Sequence, residues 1–207
     1  MIHTDIIQGT PEWFDIKRGK ISASHMSDVL SKGKGVTRRN YLTKLVVERL
    51  TGKTEETFCS NDMQNGIDRE EAARLCYEFE KGVTVDQVGF IDHADIENYG
   101  CSPDGLVGED GMTEIKSPKA ATHIEYLRGG VVPSTYIKQM QSQMDVADRK
   151  YNDFISYCPD MPTNLQLFVC RLERDDEMIG LIRLEAITLN KEVEATIAEL
   201  KQIAVQT

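Results

Sequence analysis

Long apolar runs are missing from this 207-residue chain. No stretch of about 18 apolar residues occurs, so no transmembrane helix is expected. The start, Met1-Ile2-His3-Thr4-Asp5, has no basic segment and no apolar core behind it, and no signal peptide is predicted. Cysteine is sparse: Cys59, Cys76, Cys101, Cys158 and Cys170 form no CxxC pair and are odd in number. That argues against a zinc site and a disulfide framework and predicts reduced thiols. The four histidines (His3, His25, His93, His123) lack metal-ligand spacing. The Gly/Lys-rich loop from Ser31 to Thr37 does not match a phosphate-binding P-loop. Internal repeats, long linkers and low-complexity segments are also absent. The single tryptophan, Trp13, reads as a core residue rather than a base-stacking platform.

What is present describes a globular protein. Residues 1–207 fit one domain of ordinary size, and 40% hydrophobic with 28% charged residues is enough for a core beneath a soluble surface. A net charge of −10 argues against a generic nucleic-acid binder. The charge is unevenly spread, however. Residues 1–54 hold 10 Lys and Arg against 5 acids, leaving 14 of the 24 basic residues and 29 of the 34 acids for the rest. The first section is suited to a phosphate backbone.

Helices are predicted first. Thr10 caps a helix that opens on Pro11 and stops near Gly19. A short helix runs to Leu30. Arg38 to Thr51 is amphipathic, with Tyr41, Leu42, Leu45, Val46 and Leu50 on one side and Arg38, Arg39, Lys44 and Arg49 on the other. Asn61 to Phe79 forms another helix, capped by Asn61 or Asp62. Val83 to Ile91 and Tyr99 to Cys101 read as strands. Thr122 to Leu127 and Pro133 to Ala147 are helical; Tyr151 to Cys158 and Leu165 to Leu172 alternate as strands. Asp175 to Leu184 and Leu189 to Val205 close the chain as two helices. The order predicts an α/β fold with a central mixed β-sheet flanked by helices.

The stretch Cys101 to Pro118 organises the rest. Ser102-Pro103-Asp104-Gly105 reads as a tight turn. Leu106-Val107 and Met112-Thr113-Glu114-Ile115-Lys116 form a hairpin around Gly108-Glu109-Asp110-Gly111. Glu114 and Lys116 project to one face and Ile115 to the other, and Asp104 enters from the turn. Two carboxylates and an ammonium are then expected to converge. Carboxylates suit magnesium or manganese, which lower the pKa of a bound water, and a lysine beside them orients that water. Proline-aspartate followed by Glu-x-Lys is the signature of the PD-(D/E)XK nucleases. The same residues fit a solvated hairpin with a surface ion pair, and the motif alone does not decide.

Five ordered markers extend the match: G-T-P-E-W with R-G-K-I-S-A-S, then N-G-I-D-R-E-E-A-A-R, C-S-P-D-G-L, E-I-K-S-P and Y-I-K-Q-M-Q-S-Q-M. With these, the chain from Gly9 to about Asp176 resembles the lambda exonuclease (YqaJ-type viral recombinase) family within the PD-(D/E)XK nucleases. The resemblance implies that Asp104, Glu114 and the Ile115 carbonyl bind metal, that Glu70 completes a second metal site, that Lys116 is the catalytic lysine and that Gln139 lies near the attacking water. Two magnesium ions are implied, with manganese able to substitute. Ser24, Ser102 and Lys17 fall on the family's 5′-phosphate pocket, with Arg18 adjacent as an alternative. Thr122 stands where the family has a second arginine, beside His123. The implied function is processive 5′-to-3′ digestion of linear double-stranded DNA, releasing mononucleotides and leaving a 3′ single strand. A homotrimeric ring, a single-strand-annealing partner and a cytoplasmic setting of phage origin are implied as well. Other readings are a PD-(D/E)XK endonuclease and a non-catalytic DNA-end-binding subunit.

Overall fold

In the computed structural model, residues 1–31, 35–54 and 61–205 are described, without the side chains of 61–68 and 204–205. The expected caps at Asn61 or Asp62, much of the loop from Ser31 to Thr37, and Cys59 therefore lie outside the described residues. Among those described, seven α-helices flank two mixed sheets, so the α/β expectation holds while the single central sheet becomes two.

The smaller sheet joins β1 (Ile2–His3), β4 (Phe90–Asp92), β5 (Tyr99–Cys101) and β2 (Ile21–Ser22), in that order. The larger runs β3 (Val85–Asp86), β6 (Gly105–Val107), β7 (Gly111–Lys116), β8 (Tyr151–Tyr157) and β9 (Leu167–Glu173). The strand expected from Val83 to Ile91 is thus divided: its first part pairs in the larger sheet, its second in the smaller. Gly89 lies at the break, where a Cβ would stand 2.2 Å from the Ile6 carbonyl oxygen. β7 and β8 are parallel, which requires a long crossover. Helices α5 (Ala120–Gly129) and α6 (Ser134–Ala147) supply it.

Helix α1 (Pro11–Lys17) starts as expected, with the Trp13 N–H donating to the Thr10 hydroxyl at 3.4 Å. It ends at Lys17, just before Gly19, whose φ of +68° only glycine adopts cheaply. A 3₁₀ turn (Ala23–His25) and α2 (Met26–Val29) follow, then α3 (Val36–Thr51) and α4 (Asn61–Lys81). One helix, α7 (Asp176–Val205), replaces the two expected at the end. Nothing between Leu184 and Leu189 breaks a helix, and Ile179, Ile182, Ala186, Leu189, Val193 and Ile197 bury one continuous stripe along it.

The largest core cluster brings α2, α3 and α7 together with the smaller sheet. A second packs Ala73 and Tyr77 of α4 on Ile115 and Ile155. A third packs Met140 of α6 on Phe154. Ile115 points into a core, as its alternation with Glu114 and Lys116 requires. Half of the basic side of α3 is spent on the fold: Arg38 forks onto Glu192 (2.6 and 3.1 Å), and Arg49 reaches Gly19, Asn190 and Glu194. Leu50, expected on the apolar side, is exposed. Cys76, Cys101, Cys158 and Cys170 are free thiols. No helix among the described residues is long and apolar enough to cross a membrane.

Candidate active site

The turn before β6 and the end of β7 meet. Asp104 Oδ2 accepts the Ile115 N–H at 2.5 Å, tying the turn to the strand that carries Glu114 and Lys116. Gly105 lets β6 pass close to β3, since a Cβ there would stand 2.0 Å from Val85 Cγ1. The Gln8 amide adds a staple from the N-terminal segment, donating to the carbonyls of Pro103 (2.8 Å) and Val88 (3.0 Å).

Glu114 is 1% exposed, and a buried carboxylate needs partners. Lys116 Nζ and Gln139 Nε2 (2.7 Å) donate to its Oε1, and Gln143 Nε2 donates to its Oε2 at 2.6 Å. Lys116 Nζ also lies 5.4 Å from the Tyr136 ring centre. Burial pulls the Lys116 ammonium down, but the charges of Glu114 and Asp104 outweigh it and hold the group above the ordinary lysine value. Burial raises the Asp104 carboxyl well above its usual range; Glu114 adds to the rise, and Lys116 opposes it. Glu70, half-buried on α4, is raised by burial too, with Lys116 opposing and Glu114 adding. Three carboxylates thus share one ammonium.

In kind that donor set fits a hard divalent ion: carboxylate and carbonyl oxygens suit magnesium, and the excess negative charge is what a cation relieves. As they stand, no three His, Cys, Asp or Glu side chains among the described residues close into a group that could hold a metal.

A cleft of about 740 Å³ is lined by Asp104 and Glu70 together with Trp13, Lys17, Arg18 and Lys44. Trp13, expected in the core, is instead half-buried in its wall, its indole N–H donating to the Gly89 carbonyl (3.0 Å) and the Ser102 hydroxyl (2.8 Å). Lys17 Nζ lies 3.7 Å over the Trp13 ring. Burial, with the Lys44 charge, lowers the Lys17 ammonium to about 8, Glu48 opposing. Arg18 is already engaged, with Thr54 at 3.2 Å and with Asp15. Ser24 and Ser102 do not line the cleft, but each touches a residue that does: Ser24 Oγ is 3.1 Å from Ser22 Oγ, and Ser102 holds Trp13. Thr122 lies on α5 away from the cleft lining. Its neighbour His123 is buried between the Ser156 hydroxyl (2.7 Å) and the Leu165 carbonyl (2.8 Å), so it has no nitrogen left for a phosphate.

Gln143 and Gln8 were not anticipated. Gln143 was legible in principle, one helical turn beyond Gln139 and hence on its face. Nothing in the sequence marks Gln8. Buried Glu48, which accepts the Gly19 N–H at 2.7 Å, was counted only as one acid among many cations.

Known proteins resemble this chain. The chain is 43% identical to an alkaline exonuclease, LHK-Exo, from Laribacter hongkongensis, covering 95% of this chain and 99% of that one with a TM-score of 0.90. LHK-Exo in complex with dAMP matches equally. A phage related exonuclease from Haemophilus somnus 129PT shares the fold at 14% identity, covering 87% of this chain and 96% of that one with a TM-score of 0.68. No curated protein matches the chain. The description of the matching family model, over residues 12–150, is a YqaJ-like viral recombinase domain, and the chain belongs to that family.

Proposed function

We propose that this protein is a magnesium-dependent exonuclease that degrades the 5′-ended strand of linear double-stranded DNA processively, releasing 5′-mononucleotides and leaving a 3′ single strand for an annealing partner. Membership of the recombinase family and the likeness to an alkaline exonuclease support a DNA exonuclease role. The finer reading rests on one observation: Asp104, tied through Ile115 to the strand that carries Glu114 and Lys116, lines the same cleft as Lys17, Arg18 and Lys44. A DNA end with its phosphate among the cations would lay its first phosphodiester toward the carboxylates.

Asp104, Glu114, Glu70 and the Ile115 carbonyl would hold two magnesium ions, or manganese in their place. When bound, the ions supply a water of lowered pKa and charge stabilisation at the phosphoryl group. Lys116 is held protonated, so it serves as a donor and a positive charge, not as the resting base. Gln139 steadies Glu114 and offers its remaining amide valences to the water or the phosphate. Lys17 is the favoured phosphate ligand, because Arg18 is already paired; Ser24 and Ser102 support it from behind the cleft wall. Thr122 takes no part.

Initial rates on 5′-phosphorylated and 5′-hydroxyl duplexes test the polarity and the pocket together. Wild type should prefer the phosphate by about tenfold, a single charge-assisted contact. Lys17→Ala should erase the preference, and Arg18→Ala should keep it. The Lys17 charge is present below about pH 8 and fades above it, so the preference should shrink between pH 7 and pH 9. Equal wild-type rates on the two ends would remove the pocket from the account.

The active form is proposed to be a homotrimer enclosing the duplex, which gives processivity by topology. Light scattering should then report a mass about three times 23.3 kDa, and a monomer that digests long duplexes processively would contradict it.

A further inference from the structure

Behind Glu114 lies a buried chain of two amides. The parallel register of β7 and β8 sets Met112 opposite Asn152 and Glu114 opposite Phe154. Glu114 and Asn152 therefore share the face of the sheet that α6 covers. From α6, Gln139 and Gln143 both reach the same carboxylate, one on each oxygen (2.7 and 2.6 Å).

The two glutamines are not equivalent. A carboxylate only accepts, so each must present its NH2 group and turn its carbonyl away. Gln139 is half-buried beside the site, where water can satisfy that carbonyl. Gln143 is 1% exposed, and its carbonyl must find a donor inside the protein. Asn152, 0% exposed, provides it: Nδ2 donates to Gln143 Oε1 at 2.8 Å. Asn152 thus decides which way the Gln143 amide faces; reversed, its oxygen would oppose the carboxylate. This arrangement has a cost. Asn152 Oδ1 is buried with no hydrogen-bond partner, which an apolar residue would avoid. A polar pair kept at that cost beside the candidate site is better explained by orientation than by stability.

We infer that Gln143, oriented by Asn152, is a positioning residue that fixes the Glu114 carboxylate for metal binding and hydrolysis. The inference rests on the function proposed above. It assigns to Gln143 a task that Gln139 cannot perform alone, since Gln139 and Lys116 both act on the other oxygen.

The test uses the full-length protein and the variants Gln143→Met, Asn152→Ala and the double variant. Three quantities are measured: kcat and KM on linear duplex, calcium affinity by calorimetry without DNA, and the melting curve. Gln143→Met should lower kcat and weaken calcium binding by about tenfold or more, the usual effect of losing a group that orients a metal ligand, with KM for DNA within about twofold. Asn152→Ala should lower both by a smaller factor. The double variant should be no worse than Gln143→Met, because Asn152 acts through Gln143 and the losses cannot add.

A folded Gln143→Met protein with wild-type kcat and calcium affinity would overturn the inference. So would losses that multiply in the double variant, which mark two separate structural defects. If Gln143→Met does not fold, Asn152→Ala decides, and wild-type values there overturn the relay. Calcium affinity is read without activity. Wild type that binds calcium but does not cut DNA would end the functional proposal, and weakened calcium binding in Gln143→Met would still support the positioning role. Wild type that binds no calcium would overturn both.

Discussion

Asp104→Asn should leave a folded protein that digests linear duplex at least about a thousandfold more slowly than wild type, since a lost metal-binding carboxylate removes several kcal/mol of transition-state stabilisation. The same variant should melt at or above the wild-type temperature in metal-free buffer. The sign follows from the direction of the shift. The folded Asp104 carboxyl lies well above its usual range because burial and the Glu114 charge disfavour its ionised form. Above the ordinary aspartate range, therefore, the fold bears a penalty for ionising it, which the unfolded chain does not. Asparagine is neutral and nearly the same shape, and its carbonyl can still accept the Ile115 N–H that Asp104 accepts now. Activity should fall while stability holds or rises, as expected where a site is built for function at the expense of the fold. A large drop in melting temperature together with the lost activity would make Asp104 a structural residue instead.

Lys116→Met should also slow digestion, by about a hundredfold or more, within the range that a positioned donor supplies. Its stability effect should have the opposite sign. The folded Lys116 ammonium is held above the ordinary lysine value because Glu114 and Asp104 together outweigh its burial. A value raised by folding means stability that is present below the unfolded lysine value and lost as pH rises through the folded one. At neutral pH the charge is stabilising, and its removal leaves Asp104, Glu70 and Glu114 without their shared cation. Metal-free Lys116→Met should therefore melt below wild type, and added magnesium should restore part of the difference. Lys116→Arg should rescue stability better than rate, because a planar fork cannot occupy the place of a compact ammonium. Melting curves of the two variants, with and without magnesium, check the pair of signs. Two shifts in the same direction would remove the electrostatic account of the cluster.

How far the sequence reveals this depends on the range of the interaction. The hairpin was legible because its turn residues and two-residue alternation are local: the two strands pair antiparallel, though the register sets Val107 against Gly111 and so takes Gly111 out of the expected turn, and Glu114 and Lys116 share a face with Ile115 behind them. Thr10, Pro11 and Gly19 bounded α1 for the same reason. The division of Val83 to Ile91 between two sheets was not legible, because it follows from pairings with distant segments, Val85 with Val107 and Ile91 with Ile2 and Cys101. The continuity of α7 comes from a buried stripe that tertiary packing selects, not from any local signal. Arg38 and Arg49 look like phosphate ligands on a helical wheel, yet they reach Glu192 and Asn190 of α7, 154 and 141 residues further on. Glutamines are usually surface residues, and no local signal marks Gln141 and Gln143 as the buried residues they are. The candidate set of Asp104, Glu114 and Lys116 was thus readable as chemistry. The groups that hold it in place, Gln8, Gln143 and Asn152, were not, because each acts across a tertiary contact between separate elements.

The most direct test of the central claim is digestion, in magnesium, of one duplex sequence prepared in three forms: linear with a label on the 5′ end of one strand, linear with a label on the 3′ end of that strand, and covalently closed. The account predicts early release of the 5′ label as a mononucleotide, late release of the 3′ label, and an intact closed circle. Cleavage of the circle, or release of the 3′ label first, would contradict it.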